Sequence, residues 1–394
     1  MSTLVPAALA AVDKLADELC AVRRDLHAHP ELAWQEERTT TLVAKRLEEA
    51  GVRVQLLPKS GLIAEIGPTE GPVVALRADL DALAVDDLTD DPWRSTVDGV
   101  AHACGHDVHV ASLLGAGLAL AEVHALSPFP GRVRLLFQPA EEVMPGGALE
   151  MIATGALDGV GHVFGLHADP GLDVGQVGLR EGPLTGAADS MSVRLTGRGG
   201  HTSRPHLTQD LTFALAKLVT ELPSALSRRL DPRAGVSLVW GLVRAGSAKN
   251  VIPASGVAAG TVRMLDAVAW ADAEHLIREL IEQIVAPYGV RAQVEYIRGV
   301  PPVVNEPHAT RLLGHAAEQV VGADSHVYTP QSLGGEDFAW YLESVPGAMA
   351  RLGTRTPGGP TYDLHQGDLR VDEAATGVGA KVLAAAAIEA LAEA

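Results

Sequence analysis

The sequence predicts an α/β protein: a mixed β-sheet covered by helices, with a smaller ferredoxin-like (βαββαβ) domain inserted into it. Three observations lead there. The chain has 394 residues, too many for one ordinary core, so two domains are expected. Short apolar runs that read as buried strands alternate with helical stretches as far as about residue 183. Between Ser190 and Arg298 the pattern changes to the order β-α-β-β-α-β. The expected division is residues 1–183 and 300–394 for the larger domain and 184–299 for the inserted one.

The elements follow in order. Leu9, Val12, Leu15, Leu19 and Val22 recur at three- and four-residue spacing and predict helix. His27-Ala28-His29-Pro30 interrupts it, and a second helix over about 36–50 stops at Gly51. His27 and His29 are read as organising that loop rather than as ligands. Strands are predicted over 61–66, 73–78, 133–137 and 162–166, and helices over 110–124 and 147–154. In the inserted domain the strands are 191–196, 236–243, 257–265 and 291–297, and the helices about 208–227 and 269–287. A helix at 308–321, a glycine-rich turn from Leu333 to Phe338 that feeds a helix, and a last alanine-rich helix over 374–392 complete the chain.

Composition narrows the function. Hydrophobic content of 47% with 20% charged residues describes a soluble globular protein. A formal charge of −18 and no long basic run argue against nucleic acid and anionic membranes as partners. The two cysteines, Cys20 and Cys104, argue against a disulfide framework and fit a reducing compartment. The N-terminus lacks the basic region of a signal peptide, and no stretch reads as a membrane span, so a cytoplasmic protein is expected.

The chemistry centres on residues 100–109, which hold Cys104, His102, His106, His109 and Asp107. In an extended backbone Cys104 and His106 share a face, as metal ligands would. In open α/β sheets, functional residues gather at the carboxyl ends of strands. Those ends here carry Asp79 and Asp81, Glu141 and Glu142, and His167. With His365 the candidate ligands become Cys104, His106, Glu142, His167 and His365. Five ligands suit two divalent ions sharing a water, an arrangement that activates a nucleophile and polarises a carbonyl. Glu141 and Glu142, read as extended neighbours, diverge, so that Glu142 binds metal while Glu141 faces the substrate as general base. Asp79 is either an ion ligand or an outer residue that orients the base or a ligand. Asp81 is read as structural. Asp107 either orients a ligand histidine or caps the helix that follows.

These residues carry a resemblance. Residues 23–32, 77–83, 102–106, 138–142, 199–201 and 335–338 together resemble the M20 metallopeptidase family, most closely its amidohydrolase subgroup of hippurate hydrolases, aminoacylases and plant auxin-conjugate hydrolases. The resemblance implies metal-dependent hydrolysis of N-acyl amino acids by a homodimer, at two ions (zinc or manganese, with cobalt as a further option). It implies that Glu141 is the base, Asp79 its supporting acid, and His201 an oxyanion donor reaching the partner subunit's site from a lid. Asn250 and Arg263 would hold the substrate carboxylate, for which an arginine fork is well shaped. The chain departs from the family pattern at Ala84, Thr202-Ser203-Arg204 and Gln366-Gly367-Asp368. A dipeptidase or carboxypeptidase of the same family, and a metal-binding homologue without catalysis, are the competing readings. The absence of a Gly-x-Ser-x-Gly elbow and of a P-loop disfavours a serine hydrolase and a nucleotide enzyme.

Overall fold

The computed structural model describes residues 3–393. Its elements are α1 (Leu4–Lys14), α2 (Ala16–Ala28), α3 (Glu37–Glu49), β1 (Arg53–Leu56), β2 (Leu62–Ile66), β3 (Val73–Asp79), α4 (His106–Leu126), β4 (Arg132–Gln138), α5 (Ala148–Ala153), β5 (Val160–Asp173), β6 (Val177–Leu179) and β7 (Gly182–Pro183). The inserted region adds β8 (Ala187–Thr196), β9 (Gly200–His201), α6 (Leu211–Arg229), β10 (Ser237–Ala245), β11 (Val251–Ile252), β12 (Ser255–Met264), α7 (Ala267–Val285) and β13 (Arg291–Val300). The chain closes with β14 (Val304–Asn305), α8 (Pro307–Val321), β15 (His326–Tyr328), α9 (Ala339–Leu342), β16 (Gly347–Arg355) and α10 (Ala374–Glu393).

Two compact units result: residues 1–182, 304–330 and 337–394, and residues 183–303 with 331–336. The short stretch Gln331–Glu336 groups with the inserted unit.

The larger unit holds an eight-stranded mixed sheet in the order β1-β2-β4-β3-β5-β16-β6-β15. Strands β4, β3, β5 and β16 run parallel, so their carboxyl ends share one edge. Asp79 lies opposite Gln138, and His167 opposite Arg351. This register brings the ends of β3 and β4 alongside the middle of β5, where His167 lies, and the candidate site lies there. Strand β5 does not stop at Leu166 as expected; it runs 14 residues, straight through His167. Strand β16 was not legible, because Gly-Ala-Met-Ala-Arg-Leu-Gly-Thr-Arg lacks a β-branched apolar run. Its Gly347 is required by close packing, since a Cβ there would lie 2.2 Å from the Val163 carbonyl oxygen.

Helices α4 and α10 pack together, α1 and α2 lie on α4, and α8 lies on α10. Both α4 and α10 are apolar on nearly every face and are largely buried, as central helices must be. They correct the expectation that no stretch reaches the length of a membrane span: each is long and apolar enough, yet most of its surface is covered by protein.

The inserted unit is a four-stranded antiparallel sheet, β10-β12-β8-β13, with α6 and α7. This is the strand order of the predicted βαββαβ fold. Helix α6 buries Leu211, Ala214, Leu215, Leu218, Leu222 and Leu226 at three- and four-residue spacing. Asp210 caps α6 by accepting from the Phe213 amide, and Asp266 caps α7 by accepting from the Ala269 amide.

Candidate metal centre

The turn before α4 is built differently from the expected extended segment. Residues 103–104 form a turn, and Gly105 is left-handed at φ 82° as the N-cap. A Cβ on Gly105 would lie 2.8 Å from that of Ala168, so glycine lets the turn press against β5. Cys104 and His106 therefore converge because a helix begins between them, and not through strand alternation. Glu141 and Glu142 likewise lie in a bend that follows Ala140, left-handed at φ 56°. His365 is itself left-handed at φ 63°, and its amide donates to the Ala103 carbonyl at 2.7 Å. Besides Trp34, these are the non-glycine residues with positive φ among those described. Strain of this kind gathers where geometry is imposed.

The five expected ligands meet. Cys104, His106 and His167 offer ligand atoms within 4.8 Å of one another, as do Cys104, Glu142 and His365. The two groups share the thiol. Glu142 Oε1 is 3.4 Å from His365 Nε2 and 3.8 Å from His106 Nε2, and Cys104 Sγ is 3.6 Å from His167 Nε2. Ligands about 2.0–2.3 Å from a common tetrahedral ion stand roughly 3.3–3.8 Å apart, so the spacing fits. Two buried atoms aimed into this space, His106 Nε2 and Glu142 Oε1, have no hydrogen-bond partner. Such orphans call for an explanation, and an ion supplies it.

The imidazoles are set in one tautomer by what lies behind them. His106 Nδ1 donates to the Asp81 carbonyl at 2.8 Å, and His167 Nδ1 to the Ala168 carbonyl at 2.8 Å, which leaves both Nε2 atoms to face the cluster. Burial pushes His167 well below the ordinary histidine range, so it is neutral and able to ligate. Burial also opposes charging His106, yet Asp79 and Cys104 raise it well above that range; the space is electrostatically disposed to a cation. Burial pushes the Cys104 thiol up to about 12. Metal binding must therefore displace its proton.

A second layer explains Asp79. Its Oδ1 accepts from His109 Nδ1 at 2.6 Å and its Oδ2 from Arg77 Nη1 at 2.7 Å. The other ring nitrogen of His109 accepts from the Ala168 amide at 2.7 Å. Asp79 and His109 thus have their ligand atoms committed, and although they form a compact trio with His106 they do not read as ion ligands. Burial raises the Asp79 carboxyl, but His106, Arg77 and His109 outweigh it and hold it well below the usual carboxylate range. Arg77 is 1% exposed and also bonds Gln138 Oε1 at 2.9 Å and Asp337 Oδ1 at 2.7 Å.

Other expectations are corrected. Asp107 neither caps α4 nor orients a ligand; it pairs with Arg23 Nε at 2.7 Å and His27 Nδ1 at 2.8 Å. His27 thus organises the base of the loop. His109 was missed as a functional residue: its place on the same helix face as His106, three residues on, was the available signal. Asp81 was read as structural, and it bonds the backbone amides of both Glu141 and Glu142.

The inserted unit carries His201, Asn250 and Arg263. His201 is exposed on β9, opposite Val251 on β11, and the Asn250 carbonyl accepts from the Thr202 amide at 3.2 Å. His201 and Asn250 are therefore brought together. Ser203 donates through its amide to His201 Nδ1 at 3.1 Å. Arg263 is on β12, a separate element, with its guanidinium on the Leu333 carbonyl at 2.7 Å.

A thiol, imidazoles and carboxylates gathered beside the parallel strands define the class: a hydrolase with a candidate two-metal centre. The sequence profile of Peptidase family M20/M25/M40 matches residues 75–389, and the chain belongs to that family, among its amidohydrolases. It is 40% identical over 364 residues to N-acetyl-L-cysteine deacetylase of Bacillus subtilis (strain 168), covering 92% of this chain and 85% of that protein. The crystal structure of the Bacillus subtilis YXEP protein, a dinuclear metal binding peptidase from the M20 family, superposes with a TM-score of 0.84 at 35% identity, covering 96% of this chain and 99% of that one. A Rhodococcus jostii (strain RHA1) protein with the provisional name glutamate--cysteine ligase 2-3 is 51% identical over 364 residues, but the chain spans only 45% of its length. The ligand groups and the YXEP likeness support two metal ions.

Proposed function

We propose that the chain hydrolyses the amide bond of N-acyl amino acids, releasing a carboxylic acid and an amino acid. The observation that carries the proposal is the meeting of Cys104, His106, Glu142, His167 and His365, two of whose buried ligand atoms have no hydrogen-bond partner, with Glu141 in the same cluster. These five residues would hold two divalent ions. When bound, such ions supply an acidified water and an electrophile for the amide carbonyl. A thiolate with imidazoles favours zinc, with manganese or cobalt as the other ions to test.

Glu141 takes the proton of the attacking water and delivers it to the departing nitrogen. Asp79 holds the cluster's inner wall through His109 and Arg77. His201 donates to the oxyanion in the partner subunit's site. Asn250 and Arg263 bind the carboxylate of the amino acid. Val143 and Met144, directly after Glu142, are exposed apolar side chains and suit an acyl group better than a free ammonium. A homodimer is supported by β10, an edge strand of the inserted sheet with Val239, Leu242 and Val243 exposed at 59%, 42% and 53%. A cytoplasmic enzyme with a small-molecule substrate completes the proposal. Ligase activity is not part of it, because the matched residues are less than half of the protein so named.

The test is turnover by metal-loaded protein of N-acetyl, N-benzoyl and long-chain N-acyl amino acids against unblocked dipeptides. Acylated substrates are expected to be cleaved. Cleavage of free dipeptides alone would replace this reading with a dipeptidase.

A further inference from the structure

We propose that Asp81, with Glu36 behind it, is the positioning residue of this centre: its carboxylate holds the backbone of Glu141 and Glu142 while its carbonyl aims His106. The proposal deepens the two-metal reading and rests on it for the roles of those three residues.

Residues 139–147 belong to no helix or strand, so no ladder of backbone bonds fixes them. Three successive amides are held by carboxylates instead. Glu36 Oε1 accepts from the Ala140 amide at 2.8 Å, Asp81 Oδ1 from Glu141 at 3.0 Å, and Asp81 Oδ2 from Glu142 at 2.9 Å. The left-handed Ala140 turns these amides toward one side, the arrangement that makes a backbone anion nest. The acceptors in it are side-chain oxygens of the protein itself. Asp81 is 1% exposed and Glu36 fully buried, so water does not compete for either. The Asp81 carbonyl accepts a hydrogen bond from His106 Nδ1 at 2.8 Å, which frees Nε2 for an ion. Asp81, two residues beyond the end of β3, therefore sets the directions of the base, one carboxylate ligand and one imidazole ligand. Nothing in this clamp needs an ion to form it.

The chemistry of the two carboxylates gives a discriminating test. Both oxygens of Asp81 face N–H donors. In Asp81→Asn one of them becomes an NH2 group aimed at an amide hydrogen, and one bond turns into a repulsion at nearly unchanged volume. Glu36 is different, because its Oε2 meets the Ser60 hydroxyl at 2.5 Å. A hydroxyl accepts as readily as it donates, so Glu36→Gln keeps both bonds.

The experiment compares Asp81→Asn, Glu36→Gln and Glu36→Ala in the full-length protein. It reads kcat and KM, zinc affinity by chelator competition, and amide exchange across residues 140–142 of the metal-free form by mass spectrometry. In Asp81→Asn, exchange is expected to rise, zinc affinity and kcat to fall about 10–100-fold each, and KM to stay within about twofold. Glu36→Gln is expected to match the wild type, and Glu36→Ala to raise exchange with a smaller loss of kcat. Wild-type exchange and kcat in Asp81→Asn would overturn the proposal. So would equal losses in Asp81→Asn and Glu36→Gln, since both keep the volume and remove a charge, and the loss would then follow the charge and not the bonds to the amides. If Asp81→Asn does not fold, Glu36→Ala decides, since unchanged exchange there removes the clamp. Exchange in the metal-free protein does not depend on turnover, so the clamp and the amidohydrolase reading fail separately.

Discussion

Replacing Arg77 by methionine removes a cation from a buried place that holds two carboxylates. Arg77 is 1% exposed, and Asp79 and Asp337 are 0% and 1% exposed. Its guanidinium reaches each of them at 2.7 Å and Gln138 at 2.9 Å. Methionine approximates the volume but leaves both carboxylates without this partner. Breaking a buried ion pair by removing one member costs about 3–5 kcal/mol. The assay is urea unfolding at pH 7 in chelator, so that metal linkage does not contribute. The expected loss is about 3–5 kcal/mol for Arg77→Met; Arg77→Lys, which keeps the charge without the fork, should lose less. A pH dependence follows from Asp79, whose folded carboxyl is held below its ordinary value. That group stabilises the fold fully above the unfolded value near 3.9, and the contribution is lost as pH falls through the lower folded value. Without Arg77 the folded value rises, so the acid limb of the stability curve should move to higher pH. Stability of Arg77→Met within about 0.5 kcal/mol of the wild type, with an unmoved acid limb, would refute this account of the network.

Three further outcomes are expected. Zinc binding should release protons, because burial pushes the Cys104 thiol up to about 12; calorimetry in buffers of different ionisation enthalpy should show less release in Cys104→Ser. Changing Val239 or Val243 on the exposed edge of β10 to lysine should give monomers by analytical ultracentrifugation, and a dimer that persists would move the interface elsewhere. If His201 acts in the partner's site, mixing inactive His201→Ala and Glu141→Gln subunits should restore about a quarter of wild-type activity, since random pairing makes half the dimers mixed and each has one intact site. No recovery after mixing would place His201 in its own subunit's site.

Much of this was legible because the deciding signals are local. The apolar runs at 73–78 and 133–137 could only be buried strands, and their last residues pointed to Asp79 and the Glu141–Glu142 pair. The βαββαβ order was written in helix and strand periods of ordinary length. What escaped depends on packing between distant segments. Strand β16 is recognisable only from its neighbours, because Gly347 is demanded by Val163 across the sheet. The local geometry of the ligand turns was misjudged because Gly105, Ala140 and His365 take left-handed conformations that no periodicity reveals. Asp81 passed as structural for the same reason: its partners are amides about sixty residues away.

The central claim is that a two-metal centre here hydrolyses acylated amino acids with Glu141 as base. Its most direct test is turnover of an N-acyl amino acid by Glu141→Gln, with bound metal counted in the same sample. The account predicts two ions retained, wild-type unfolding, and a rate reduced about 10²–10⁴-fold or more. Wild-type turnover in that variant, with both ions bound, would contradict it.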